Sequence, residues 1–470
     1  MNPTFFKSHK TPLLFTLFSV AFYLSFAYDL VRTDYIKLIS LYSALFFLFY
    51  KLVQTGNSDF KFLLGMAILF RIVFLFATPN LSQDFYRFIW DGRMILAGFN
   101  PYLFTPESFI SSSTFPVAQA QELYYGMGAL NASHFTNYPP IKQFIFMVAA
   151  FISGKSILGS AIVFRLFIIA ADIGTLYVGK KLLERLKMPV HTIFWYILNP
   201  FIIIELTGNL HFEGIMIFFL LLSLYLLHLG KWKSAAVSFA LSVSVKLIPL
   251  LLLPLFFQYF TKKNTAIHNS DQTNIVSTSA ALGLPKLLGF YGIIGVTTLL
   301  LFAPFFSSEF IQNYSKTVGL WFSAFEFNAS LYYVAREIGY RLTGYNQIAF
   351  IGKFIPMLTI LTVLILTFFR KNTSIKHLIV SMLFAVSIYY FISTTIHPWY
   401  LATLLILSIF TTYKFPLVWS FMIILSYLSY TNTQHSENPW IIGLEYLIVY
   451  AVFIWEVFIK KDRQKAVFHI

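Results

Sequence analysis

Asp84, Arg87 and Asp91 stand at i, i+3 and i+7 in the stretch SQDFYRFIWDGR, residues 82–93, so on a helix they share one face. Two carboxylates with a guanidinium between them are the parts of acid–base chemistry. A carboxylate within hydrogen-bond reach of a hydroxyl can take its proton, and the cation holds nearby negative charge in place. A plainer reading exists: Asp84 complements the helix dipole, and Arg87 merely clamps the two acids. The surroundings argue for the chemical reading. These charges sit among Phe85, Phe88, Ile89 and Trp90, directly after a long apolar run, and ionised side chains at such a boundary need a reason to stay charged. Ser82 is placed to cap the helix, Gly98 and Pro101 to stop it, and Arg93 points to the other face.

Further polar clusters interrupt the apolar runs. Tyr138 lies in NYPP, where the proline pair enforces an extended entry into a helix, with Gln143 just beyond. His211 and Glu213 lie in GNLHFEG, a turn between two apolar runs; a helix-capping turn is the plain alternative. Lys246 precedes Pro249 inside an apolar stretch, where it either snorkels to a boundary or binds phosphate at a helix break. Glu326 and Asn328 are interleaved with aromatics in WFSAFEFNAS, and Arg336 follows. His397 and Tyr400 belong to HPWY, suited to contact a phosphate or a sugar ring. Asp172, with Arg165 two turns earlier, lies inside an apolar run, where the two either pair along the helix or line a cavity floor.

The elements that must position these residues follow from composition. Of 470 residues, 58% are hydrophobic and 11% charged, and many runs approach the ~20 apolar residues that span a bilayer. The fold class is therefore all-α: a single polytopic transmembrane bundle over residues 1–470 with about 12–14 spans. With Lys7 and Lys10 on the cytoplasmic side, spans fall near 12–31, 36–53, 61–79, 157–179, 189–206, 214–230, 287–306, 346–369, 378–395, 399–413, 416–431 and 442–459. Residues 234–260 form a broken hairpin of two short helices, since basic pairs flank both ends. Residues 80–156 form a large outer loop carrying surface helices, 141–154 among them, and the polar segment 261–286 is a mobile cytoplasmic loop. The first apolar run lacks a cleavage site and is a retained span. The net charge of +15 is scattered over short loops rather than gathered in a stripe, which argues against nucleic acid. There are no cysteines, so thiol chemistry and disulfides are excluded.

Asp84-x-x-Arg87-Phe88-x-Trp90-Asp91-Gly92-Arg93, then Gly98-Phe99-Asn100-Pro101-Tyr102 and Tyr138-Pro139-Pro140, resemble the bacterial GT-C fold mannosyltransferases, close in style to glycosyltransferase family 87. Glu213, Lys246 with Pro249, FEFNAS and HPWY are similar to later elements of that superfamily, so the likeness covers most of 60–410, although two extra spans precede the first motif. The resemblance implies inverting transfer of a hexose, mannose by analogy, from a polyprenyl-phosphate donor to a glycan or lipid acceptor. It implies an inner-membrane enzyme with both termini cytoplasmic and its site outside. Asp84 is then the general base, with Asp91 in reserve. Lys246 and His397, and Arg336 after them, are candidates for the phosphate. Arg87, Tyr138, His211, Glu213, Glu326, Asn328 and Tyr400 are candidates for substrate binding. No cofactor is assigned. A divalent ion between Asp84, Asp91 and Glu213 is the disfavoured alternative, because an arginine already neutralises the acids. The rival function is a transporter or flippase of lipid-linked sugar, which would show a tunnel reaching the cytoplasmic loops.

Overall fold

The computed structural model describes residues 10–55, 59–270, 273–279, 281–323, 325–432 and 436–460, with backbone alone for 264–270, 273–279 and 321–323. Lys7, Ala324 and the side chain of Trp321 thus lie outside the described residues. Helices dominate, as backbone groups in hydrocarbon must be satisfied within their own segment. Seven helices are long and apolar enough to cross a bilayer: Lys10–Asp29, Tyr35–Thr55, Ile157–Arg185, Leu284–Phe305, Ile348–Phe369, Ile375–Ile392 and Pro439–Ile459. An eighth is the pair Val190–Ile197 and Pro200–Gly208, bent by 49°. The count by length is therefore lower than the expected 12–14. The difference lies in short apolar helices such as Glu213–His228, Pro398–Ile409 and Phe415–Thr431, whose places agree with expected spans but whose lengths do not suffice alone.

Three local features shape the site. The stretch around Lys246 breaks as expected: Trp232–Val245 is helical, Lys246 is extended (φ −156°, ψ 139°), and a 3-10 segment Ile248–Leu255 follows into Phe256–Thr261. Pro249 supplies no N–H and disfavours helical geometry in the residue before it. The rings of Phe239 and Phe256 meet at 5.5 Å, so the chain doubles back with Lys246 near its tip. Second, residues 80–156 carry the helices Asp84–Leu96, Pro106–Ser111, Ala120–Ala132 and Pro140–Ser153. The Asp84 helix crosses the Pro140 helix so closely that a Cβ on Gly92 would stand 2.2 Å from the carbonyl oxygen of Phe146. It ends at Gly98 (φ +83°), where Gly98 N–H donates to Ile95 O (3.1 Å) and Phe99 N–H to Met94 O (2.9 Å), a Schellman stop.

Third, Arg165 and Asp172 do not pair with each other. Seven residues of helix rise ~10 Å, too far for an ion pair. Asp172 Oδ2 accepts instead from Arg71 Nε at 2.7 Å, both side chains buried. Arg165 donates to the carbonyls of Thr207 (3.0 Å), Gly208 (3.0 Å) and Leu75 (3.1 Å). It thereby satisfies the end of the π-helical turn Ile203–Gly208 and fixes the loop that carries His211 and Glu213. The segment 261–286, expected as a mobile loop, carries an antiparallel hairpin of Asn264–Ser270 with Thr273–Ser279.

Candidate functional site

One cavity of about 980 Å³ gathers the connections at one end of the bundle. Its lining takes residues from positions 32, 81–88, 128–142, 211–213, 246–251, 317–327, 356–360, 389–400 and 429–430. These are the connections that alternate with the basic ones, together with adjoining turns of helix. Of the residues expected to do chemistry, Asp84, Arg87, Tyr138, His211, Glu213, Lys246, Glu326, His397 and Tyr400 line the cavity. Asp91, Asn328 and Arg336 do not.

Asp84 opens its helix, its N–H donating to Ser82 Oγ at 3.3 Å, and its Oδ1 faces Asn131 Nδ2 at 3.4 Å. Burial pushes its carboxyl up to about 6; Lys142 pulls it down, Glu213 pushes it up and Lys246 pulls it down. A carboxyl tuned to that range is still mostly ionised at neutral pH and is a better proton acceptor than an exposed aspartate. Arg87 does not bridge the two acids. It pairs with Asp91 alone (2.8 Å) and donates to the carbonyls of Asn131 (2.8 Å) and His134 (2.9 Å). Asp91 Oδ2 accepts from Gln143 Nε2 at 3.1 Å, which leaves this carboxylate behind the cavity wall. The pair ties three segments together and sets Asn131 beside Asp84.

Lys246 Nζ forms an ion pair with Glu213 and lies 4.0 Å above the ring of Tyr400. His211 stacks on Trp399 at 3.6 Å, and Trp399 stacks on His397 at 4.6 Å, which in turn faces Phe327 at 5.1 Å. The result is a ladder of flat rings along one wall. Burial and then Lys246 push His397 down to about 3, so it is neutral at pH 7 and acts through its ring and its nitrogens rather than through charge. Tyr138 presents its ring to Lys142, 4.8 Å from Nζ, and its carbonyl accepts from Tyr102 Oη at 2.6 Å.

Glu326 holds Arg336 and Tyr332 and accepts from Asn346 Nδ2 at 2.8 Å, so Arg336 reaches the site only through Glu326. Asn328 is buried and bonded to Glu445 (3.1 Å), with its N–H on Glu437 (2.6 Å), and so fastens a loop behind the lining. Among the described residues no three His, Asp or Glu side chains stand close enough to share an ion, and Asp84, Asp91 and Glu213 do not converge.

Sequence reading missed Arg32 and Lys142, which also line the cavity. Arg32 donates to Leu81 O at 3.3 Å and lies 4.0 Å over the ring of Tyr430. Nothing in its local pattern distinguishes it. For Lys142 a signal existed: Pro140 starts the helix and puts a lysine in its first turn, where the dipole disfavours a cation.

The sequence pattern of one protein family, described as the N-terminal domain of alpha-(1->6)-mannopyranosyltransferases of the MptA/B family, matches residues 26–262, about half of the chain. No curated protein matches the sequence.

Proposed function

We propose that this chain, which belongs to the MptA/B family of alpha-(1->6)-mannopyranosyltransferases and is thus an integral-membrane mannosyltransferase, moves mannose from a polyprenyl-phosphate donor to a glycan or glycolipid hydroxyl in the Asp84 cavity. The observation that carries the reading is the meeting of an ionisable acid, two lysines and a ladder of rings in one cavity that also has apolar lining. Leu247, Ile248, Leu251, Pro356, Thr359 and Ile360 belong to that lining. Ile360 lies twelve residues into its helix, ~18 Å along the axis, and is 59% exposed. Leu130, elsewhere in the lining, is 63% exposed. A prenyl tail suits the apolar lining near Ile360, a sugar acceptor the polar lining near Leu130.

In the transfer, the acceptor oxygen attacks the anomeric carbon as the bond from that carbon to the phosphate oxygen breaks. Asp84 takes the hydroxyl proton, and the phosphate leaves as a monoester with one more negative charge. Inversion to an alpha linkage requires a donor with mannose beta-linked to phosphate. The leaving phosphate needs positive charge more than a proton, and Lys246, released from Glu213, supplies some of it. Glu213 and Glu326 accept from sugar hydroxyls, and the Trp399 ladder packs on sugar faces.

Among the described residues, the basic connections contribute nothing to the lining: Lys180, Lys181, Arg185, Lys231, Lys233, Lys262, Lys263, Arg370 and Lys371 are all absent from it. Lysine and arginine gather on the cytoplasmic side of membrane proteins, which supports an outward-facing site with cytoplasmic termini. It also favours the enzyme over a transporter, whose pathway would reach those connections. The test is purified protein with labelled polyprenyl-phosphate mannose and mannoside acceptors. Transfer is expected, and Asp84→Asn lowers it ~10²–10⁴-fold with folding intact; normal turnover in that variant overturns the assignment of the base.

A further inference from the structure

Every other cation on the cavity wall is already engaged. Arg87 holds Asp91 and two carbonyls, Lys246 holds Glu213, and Arg32 holds Leu81 O and covers Tyr430. Lys142 differs. It is 6% exposed, and among the described residues it makes no ion pair and its ammonium donates no hydrogen bond. Its ammonium meets only rings: Tyr138 at 4.8 Å, Phe212 at 5.7 Å and Phe88 at 5.9 Å. It also stands in the first turn of Pro140–Ser153, at the positive end of a helix dipole.

Burial, the missing counter-ion and the helix end each oppose a cation there. Ring faces return on the order of 1–2 kcal/mol for a desolvated ammonium, less than the several kcal/mol that burying an ion costs. A bound anion offsets these costs, because it supplies the missing counter-ion and because a helix N-terminus and a lysine both attract phosphate. Asp84 and Glu213 act on Lys142 through space but do not close on it.

We infer that Lys142 is the side chain that grips the donor's phosphate and holds it as its charge grows during transfer. The assignment rests on the polyprenyl-phosphate reading above and adds to it a residue and a consequence. The donor phosphodiester carries one negative charge and the leaving monoester two. A cavity built around an uncompensated ammonium therefore holds the product lipid more tightly than the donor, so the spent lipid phosphate inhibits. Lys246 cannot take this part alone, since moving it to phosphate strips Glu213 of its partner in a buried position.

The test uses the full-length protein in lipid nanodiscs with farnesyl phosphate and farnesol as probes, read by calorimetry. Wild type is expected to bind farnesyl phosphate at least roughly tenfold more tightly than farnesol, and Lys142→Met to lose that preference while still binding farnesol. Lys142→Arg should keep part of it. Should Lys142→Met fail to fold, reductive methylation of wild type followed by mass spectrometry gives the second reading, with Lys142 protected by farnesyl phosphate and not by farnesol. Retention of the preference in Lys142→Met, or equal methylation with and without farnesyl phosphate, overturns the role of Lys142. A wild type that does not distinguish the phosphate from the alcohol refutes the donor reading itself.

Discussion

The acid limb of the pH–rate profile puts a number on the role of Asp84. A base acts only when deprotonated, so with its carboxyl at about 6 the rate must rise as pH increases through that value. About 90% of the carboxyl is ionised at pH 7 and about 9% at pH 5, a roughly tenfold change in turnover at saturating donor. The charges facing Asp84 fix the direction in which variants move the limb. Lys142 and Lys246 pull the carboxyl down and Glu213 pushes it up. Lys142→Met should therefore shift the limb to higher pH, and Glu213→Gln, which also frees Lys246, to lower pH. The assay is transfer of labelled mannose between pH 5 and 8, with enzyme integrity checked at each pH by return to pH 7. A flat profile from pH 5 to 7, or a limb that both variants move the same way, refutes the reasoning.

Other consequences are more local. Asp91→Asn removes the partner of a buried guanidinium and should cost ~3–5 kcal/mol of stability, seen as a lowered melting temperature in detergent, whereas Asp84→Asn should leave melting near wild type. Asp172→Asn strands Arg71 in the same way, and thermal unfolding should show a similar loss. Gly92→Ala gains ~1 kcal/mol of helix propensity but forces a Cβ against the Phe146 carbonyl, and overpacking at ~1–3 kcal/mol or more should prevail in the same melting assay. Trp399→Ala removes the ring between His211 and His397, so KM for the donor should rise while melting moves little.

Much of the scaffold was legible because apolar length and basic loops obey simple physics. The break at Lys246 could be read from a lysine and a proline in an apolar stretch flanked by basic pairs. The stop of the Asp84 helix at Gly98 could be read from its glycine, whereas Gln83 and not the expected Ser82 is its N-cap, without a side-chain cap. Span number was harder, since a 14-residue helix such as Phe60–Val73 continues past its last helical turn as irregular chain. Side-chain roles depended on partners far along the chain. Asn328 is held by Glu445, 117 residues later, a partner that its local sequence does not show. Asp91 and Asp84 are chemically alike in sequence; Gln143, from a different helix, draws one behind the wall. The Pro140 helix start marks Lys142 as oddly placed, but the missing counter-ion that gives it significance leaves no pattern in a sequence.

The most direct test of an outward-facing cavity uses the natural absence of cysteine. A single cysteine in Leu130→Cys, at the exposed mouth beside Asn131, should react with a membrane-impermeant maleimide in sealed cells, and added polyprenyl-phosphate mannose should slow the reaction. Labelling only after the membrane is opened would place Asp84 and its lysines on the cytoplasmic side and contradict the account.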